Sequence, residues 1–296
     1  MQRRTKETVI KQLFLLTAVT SLAVLTLIMV FLFMEGLPTF GFVSVKHFLF
    51  GMDWYPTDEA NPDYGIFPLF AASGLVTVLS SLLAIPLGVM SAVYLSEIAT
   101  PRVRAVAKPV IEMLASLPSV VIGFFGMVVF APFLQSFFDL SVGLNLFNAS
   151  LMLAFMSVPT IASVSEDAIY AVPRELKEAS LALGATHLET LMRVTIPAAL
   201  SGIGTAVILG MSRAIGETMV VLMVAGGAAM LPSSVFDPVR PMPASIAAEM
   251  AEAPFRSPHY HALFATAMVL FLVTLFFNIL ADYISHKHSQ AGAASL

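Results

Sequence analysis

Cysteine is absent from this 296-residue chain. Disulfides, thiolate metal sites and a cysteine nucleophile are excluded with it. Charge is scarce: Asp, Glu, Lys and Arg together make up 11%, against about 25% in a soluble domain. The net charge of −4 is small and gives no electrostatic ground for a nucleic-acid partner. No glycine is followed by lysine, so there is no Gly-x-x-x-x-Gly-Lys-Ser/Thr loop and no ATP site of that kind. His-Glu-x-x-His is missing too. The carboxylates within the apolar runs are too few for a paired-acid enzyme inside a membrane.

What the chain does have is apolar surface. Hydrophobic residues make up 58%, and the mean hydropathy is +0.88. Runs of about 20 apolar residues read as membrane spans. Six emerge: Leu13–Met34, Gly65–Leu95, Pro109–Phe138, Phe147–Ser165, Ala199–Gly227 and Ala262–Tyr283. The expected architecture is an all-α integral membrane protein with six transmembrane helices in a single domain, 1–296. The first run follows basic residues as in a signal peptide, but it is 22 residues long and ends in MEGLPTF. A cleaved signal is shorter and ends at small residues, so this run is read as a retained helix.

Lys and Arg in short loops set orientation. Eleven lie on one side: Arg3, Arg4, Lys6, Lys11, Arg102, Arg104, Lys108, Arg174, Lys177, Arg193 and Lys287. Three lie on the other, Lys46, Arg240 and Arg256. Both termini are therefore expected in the cytoplasm. The first outer loop, Glu35–Tyr64, carries Asp53, Asp58, Glu59 and Asp63 with Trp54 and Tyr55. A solvated loop with interfacial aromatics is one reading, and a docking surface for an external partner is the other. Paired histidines at His259 and His261, and again at His286 and His288, lack the further ligands a metal needs. Glu112 stands one turn from Lys108 and is read as its snorkelling partner.

The inner loop Glu166–Pro197 carries helix punctuation. Pro173 suits a first turn, RELKEASLAL contains good helix formers, and Gly184 suits a left-handed terminus. Thr186 and Glu189 fit a capping box opening a second short helix, with Pro197 near the start of the fifth span. Small residues Ala179, Ser180 and Ala182, flanked by Glu178 and Leu183, would allow close approach of a partner. A docking element and a merely structural loop both fit.

The fifth span holds the odd residues, in RAIGET, Arg213–Thr218. On one continuous helix Ser201, Thr205, Leu209, Arg213 and Glu217 would share a line. Gly202, Ala206, Gly210 and Ala214 would form a small-residue seam about 100° round. Arg213 lies roughly 24 Å beyond Pro197 at 1.5 Å per residue, well inside a bilayer. A charge at that depth costs at least about 2.5–3.5 kcal/mol. An Arg–Glu pair that only sets packing is one reading, although apolar replacements of buried pairs are often as stable. The other is a site on a substrate path. A guanidinium presents a permanent charge and a fork of donors that suits oxyanions. Glu217 would hold that fork or temper its charge so that an anion is released.

Two segments carry a resemblance. EASLALG with the later TIP resembles the EAA loop of binding-protein-dependent ABC importer permeases: Glu178 and Ala179 match, Ser180 replaces the second alanine, and Leu183, Gly184 and Pro197 fall into place. SRAIGETMVVLMVAGG and PVIEMLASLPSVVIGFFG resemble the fifth and third helices of phosphate-specific ABC transporter permeases of PstC type. This resemblance implies a type I importer permease core in spans two to six (about 65–284), with a peripheral first helix and a coupling loop at 166–198. It implies inorganic phosphate as cargo, moved by alternating access, with Arg213 and Glu217 on its path and Ser201 and Thr205 beside them. The implied partners are a second permease subunit (PstA type), two cytoplasmic ATPase subunits (PstB type) that would hold ATP and Mg, an external phosphate-binding protein (PstS type) and membrane lipids. No cofactor is expected on this chain, and its place would be the bacterial inner membrane. A permease for sulfate, molybdate or phosphonate, or a phosphate-sensing scaffold, are the alternatives.

Overall fold

Lipid offers a backbone no hydrogen bonds, so apolar runs of this length fold as helices. The computed structural model describes residues 2–58 and 60–293, without the side chains of 2–6, 8, 9, 281, 282 and 284–293. Expectations about Glu59, Arg3, Arg4, Lys6, Lys287 and the His286–His288 run therefore lie outside the described residues. Helix α1, Gln2–Gly36, leads through a 3₁₀ turn, Leu37–Gly41, to α2, Val45–Phe50. A short antiparallel hairpin follows, β1 at Trp54–Tyr55 and β2 at Asp63–Tyr64. Helix α3, Phe67–Val93, ends in a π turn, Tyr94–Ile98. Then come α4, Pro101–Ala115, and α5, Ser119–Phe125, joined to α6, Ala131–Phe138, by a π turn at Gly126–Phe130. Helix α7, Leu146–Tyr170, precedes α8, Arg174–Ala182, and α9, His187–Thr190. A π turn, Leu191–Thr195, runs on into α10, Ile196–Ile215. Helices α11, Met219–Val224, α12, Met242–Glu249, and α13, Pro258–Ala293, complete the chain.

Six helical stretches among the described residues are long and apolar enough to cross a membrane, as expected: Ile10–Gly41, Phe67–Ile98, Ser119–Phe138, Leu146–Tyr170, His187–Ile215 and Pro258–Leu280. Their bounds correct the sequence reading in three places. The third run is two helices, because Pro118 stands where α4 would have continued and caps α5 instead. The fourth continues to Tyr170, which takes Glu166 out of the loop and into α7. The fifth begins well before Pro197, whose missing N–H is absorbed by the π turn just ahead of it.

Packing centres on α7. Ile161 is 1% exposed and is wedged between Gly88 of α3 and Gly210 of α10. A Cβ added at Gly88 would stand 2.7 Å from the Ile161 side chain, and one at Gly210 would stand 2.6 Å from it. The seam read from the sequence is thus the face of α10 that meets α7, with Ala206 and Ala214 buried on it. On α3 the buried Ser73, Thr77 and Ser80 hydroxyls donate to carbonyls of their own helix, at Leu69, Ser73 and Thr77. Thr77 and Ser80 stay narrow and satisfied within α3, while Ser73 Oγ also accepts the Met242 N–H of α12 at 2.8 Å. Helix α1 is peripheral: none of its apolar window is buried. It touches α13 through edge-on rings, Phe31 on Phe264 at 5.5 Å and Phe33 on Phe271 at 6.4 Å.

The segment read as a solvated outer loop is folded. Phe48, Trp54, Tyr64 and Ile66 share a core with Leu69, Met242 and Leu263. Trp54, 2% exposed, donates its Nε1–H to both carboxylate oxygens of Glu249 at 3.1 and 3.0 Å. Arg240 Nη1 and the Ser245 hydroxyl reach the same carboxylate at 2.7 Å each, and His259 Nε2 lies 2.9 Å from it. The second histidine of that pair, His261, instead places Nδ1 2.8 Å from the Glu35 carbonyl.

Two outcomes are expected. Gly202→Ala would set a Cβ 2.4 Å from the Ala168 Cβ, so thermal unfolding in detergent should show a loss of about 1–3 kcal/mol. Gly204→Ala, where an added Cβ meets nothing within 4 Å, should leave the transition unchanged or slightly higher. The second concerns pH. Burial works to raise the Glu249 pKa, but hydrogen bonds from His259, Ser245 and Trp54 and the charge of Arg240 outweigh it and hold it below the ordinary value of 4.5. A depressed carboxylate stabilises fully above its unfolded value and loses that contribution as pH falls through the folded one. Trp54 is the single tryptophan, so its emission should shift red on acidification to below the ordinary carboxylate value of 4.5. In Glu249→Gln the acid transition should be absent.

Candidate functional site

Arg213 and Glu217 sit on either side of a helix break. Helix α10 ends at Ile215, Gly216 caps it, and α11 starts only at Met219. The two charges therefore do not share a helical face, and the line from Ser201 through Thr205 and Arg213 to Glu217 stops at Arg213. They do not pair with each other either. Arg213 Nη1 donates to the Ala115 carbonyl and to the Thr160 hydroxyl, both at 3.3 Å. Ala115 is the last residue of α4, so its carbonyl has no donor in a following helical turn. The guanidinium stands in for that donor. Glu217 turns the other way. Its Oε1 accepts the N–H groups of Met219 and Val220 at 3.1 and 3.3 Å.

Backbone dipoles explain why both charges are tolerated. Arg213 lies in the last turn of α10 and on the last carbonyl of α4, and helix C-termini carry partial negative charge. Glu217 meets the first N–H groups of α11, where partial positive charge collects. Each ion is compensated by helix ends, so neither needs the other. Of the guanidinium's five N–H donors, the hydrogen bonds among the described residues engage Nη1 only. Nε and Nη2 remain available on a half-buried side chain. That arrangement suits transient binding of an oxyanion. Thr205 returns its hydroxyl to the Ser201 carbonyl at 3.0 Å, one turn back along α10. Ser201 and Thr205 are half-buried and are not among the groups that hold Arg213.

At the end of the bundle nearest α8, a second charged group gathers. Glu166 is 1% exposed. Arg104 pairs with its Oε1, and Lys108 Nζ donates to its Oε2 at 2.7 Å. Lys108 also pairs with Asp167. The Arg104 guanidinium lies over the Tyr170 ring, 3.9 Å from its centroid. Burial works to lower the Lys108 pKa, but the Asp167 and Glu166 carboxylates outweigh it and the net direction is upward. Lys108 is thus not the partner of Glu112. The carboxylates of α7 lie within its reach, and Glu112 instead lines a cavity of about 720 Å³ with Arg104, Tyr170 and Arg174.

The α8–α9 loop has the shape its punctuation announced. Gly184 is left-handed, with φ 87°, and the Thr186–Glu189 capping box is complete. Ser180 corrects the sequence reading: its hydroxyl faces inward, 2.9 Å from that of Thr190, and ties the two short helices together. Glu178, Ala179 and Ala182 are exposed, and Leu183 is 90% exposed. Leu188 and Met192, 69% and 59% exposed, extend the apolar tip. Pro197 is not part of this tip and lies inside the continuous helix beyond it.

Sequence reasoning missed Ala115 and Thr160 as the partners of Arg213. It also missed Glu166 and Asp167, which it left in a loop. A backbone carbonyl carries no residue-type signal, although Pro118 marked a helix boundary close to it. Glu166 could have been noticed as a carboxylate adjoining an apolar run without a break.

The family described as binding-protein-dependent transport system inner membrane component matches residues 84–290. A probable ABC transporter permease, YqgH of Bacillus subtilis strain 168, is 39% identical over 272 residues, covering 91% of this chain and 88% of the relative. The phosphate transport system permease PstC of Pasteurella multocida strain Pm70 is 34% identical over 259 residues, covering 81% of this chain and 78% of that one. In fold, the chain is similar to a bacterial alginate ABC transporter solved with its periplasmic protein. The TM-score there is 0.68 at 14% identity, over 96% of both chains. It is also similar to the MetNI methionine transporter, with a TM-score of 0.56 at 19% identity over 76% of this chain and 94% of that one. These relatives are transport permeases, and the six apolar helices make this a multi-pass membrane protein. The chain belongs to the binding-protein-dependent transport system inner-membrane components, and within them to the ABC permeases of PstC type.

Proposed function

We propose that this chain is the membrane-spanning permease subunit of an ATP-driven importer of inorganic phosphate. The observation that carries the reading is Arg213 at a helix break inside the membrane, held by a backbone carbonyl and the Thr160 hydroxyl, with Nε and Nη2 unengaged among the described residues. Phosphate, a tetrahedral oxyanion, accepts from such a fork. Glu217, held separately at the start of α11, limits the net positive charge so that binding stays weak enough for release. Ser201 and Thr205 supply hydroxyls along the same helix. The cargo named for the PstC relatives, phosphate, agrees with this chemistry.

Energy comes from partners, since the sequence holds no Gly-x-x-x-x-Gly-Lys-Ser/Thr loop. A second permease subunit completes the path, two cytoplasmic ATPases drive it, and an external phosphate-binding protein delivers the cargo. Both termini and the α8–α9 loop face the cytoplasm, with Glu178, Ala179, Leu183 and Gly184 meeting the ATPase. Ser180 and Pro197 shape that loop from within. An apolar tip ending in a leucine that is 90% exposed supports a covered docking surface.

Labelled phosphate uptake into vesicles holding the full assembly tests the site. Arg213→Ala should lower ATP-dependent uptake by more than about tenfold, the effect of losing one interaction of about 1.4 kcal/mol. Arg213→Lys should recover part of it, since a point charge lacks the fork. Undiminished uptake in Arg213→Ala at normal assembly would remove Arg213 from the path. Because the chain has no cysteine, Leu183→Cys provides a unique cross-linking point. It should capture the ATPase subunit, and capture only of an external partner would reverse the orientation.

A further inference from the structure

We propose that α4 is the lever through which the α8–α9 loop acts on Arg213, with Glu97, Glu166 and Asp167 as the positioning residues that attach it. The inference rests on reading α8–α9 as the ATPase-facing loop. Helix α4 has no buried residue; it packs on α7 with half-buried side chains such as Ala107 and Ile111, and charged groups add specific attachments. Just ahead of it, Glu97 in the π turn accepts from Lys177 of α8 at 2.6 Å. Along its first half, Arg104 and Lys108, one turn apart, converge on the buried Glu166 of α7, and Lys108 reaches Asp167 as well. At its far end the Ala115 carbonyl accepts from Arg213. The segment 97–115, the π turn and α4 in succession, therefore connects α8, the end of α7 just before α8, and the guanidinium inside the membrane. From Arg104 to Ala115 it spans roughly 16 Å at 1.5 Å per residue.

The chemistry of the joint suits movement better than static packing. A buried carboxylate facing two cations is no more stable than a well-packed apolar contact, so stability alone does not account for it. Lys108 touches Glu166 and Asp167 together. It can shift its weight from one to the other without ever standing unpaired. Such a joint keeps its charge compensated while α4 slides, whereas an interdigitated apolar contact would have to unlock. Pro109 lies within α4 and lacks the N–H that would bind the Ala105 carbonyl. Any flexing of the lever concentrates there, between its charged half and the end that holds Arg213. When α8 moves, Ala115 moves with α4, and the guanidinium loses or regains a carbonyl that competes with the anion for its donors.

The experiment uses the full transporter in phosphate-loaded vesicles and measures phosphate moved per ATP hydrolysed. The Glu97–Lys177 pair is 22% and 23% exposed, so charge reversal there is compatible with folding. Lys177→Glu and Glu97→Lys should each lower the ratio by about tenfold, and the double reversal should restore it to within about twofold. For the buried joint, Glu166→Gln should let ATP hydrolysis continue while uptake falls. Single reversals that leave the ratio intact would overturn the lever, as would a double variant no better than either single. Uptake by the unaltered chain in the same vesicles tests the functional reading by itself. An intact ratio in the variants beside normal uptake therefore sinks the lever and spares the permease.

Discussion

A backbone group inside a bilayer must find its partner within the protein, and the membrane charges of this chain stand where that demand is hardest to meet. Helix α4 ends at Ala115 and leaves its last carbonyl without an intrahelical donor. Gly216 stops α10 and leaves the first N–H groups of α11 open. Arg213 satisfies the first break and Glu217 the second. Two interruptions that would each be costly alone thus become the reason a guanidinium and a carboxylate are tolerated there. Broken helices whose ends face a midplane site recur in transporters for the same electrostatic reason.

Most of the architecture was legible from hydropathy and punctuation. Six apolar runs gave six spans, Gly184 and the Thr186–Glu189 box gave the bend and restart of the inner loop, and the small-residue seam on α10 packs against α7. What was not legible depended on proline and on distance along the chain. Pro197 read as a beginning because prolines favour first turns, yet a π turn carries the helix through it. Arg213 and Glu217 read as an i, i+4 pair because nothing in RAIGET announces a break: Gly216 is tolerated inside helices and only here ends one. The true partners, Ala115 and Thr160, stand 98 and 53 residues away from Arg213, beyond the reach of any periodicity.

Polar residues are used differently at the two ends of the molecule. Around Glu249 four groups converge on one carboxylate, and that network locks the hairpin to α12 and the start of α13. Every acceptor position there has a donor, which favours rigidity. The cluster around Glu166 has more cations than its buried carboxylate needs, and it reaches outward to Asp167 and the Tyr170 ring. One end is stitched shut, and the other has contacts to exchange.

Ile161 bears on how such a bundle could move at all. Its side chain fills hollows in two helices at once, at Gly88 and at Gly210. Neither α3 nor α10 can slide along α7 without driving a backbone into a branched side chain. The three therefore travel as one block, and relative motion is left to the segments around them: α4, which has no fully buried residue, the break at Gly216, and α1 on the rim. In mechanical terms the isoleucine is a dowel, and the degrees of freedom a transport cycle needs are those it leaves unpinned.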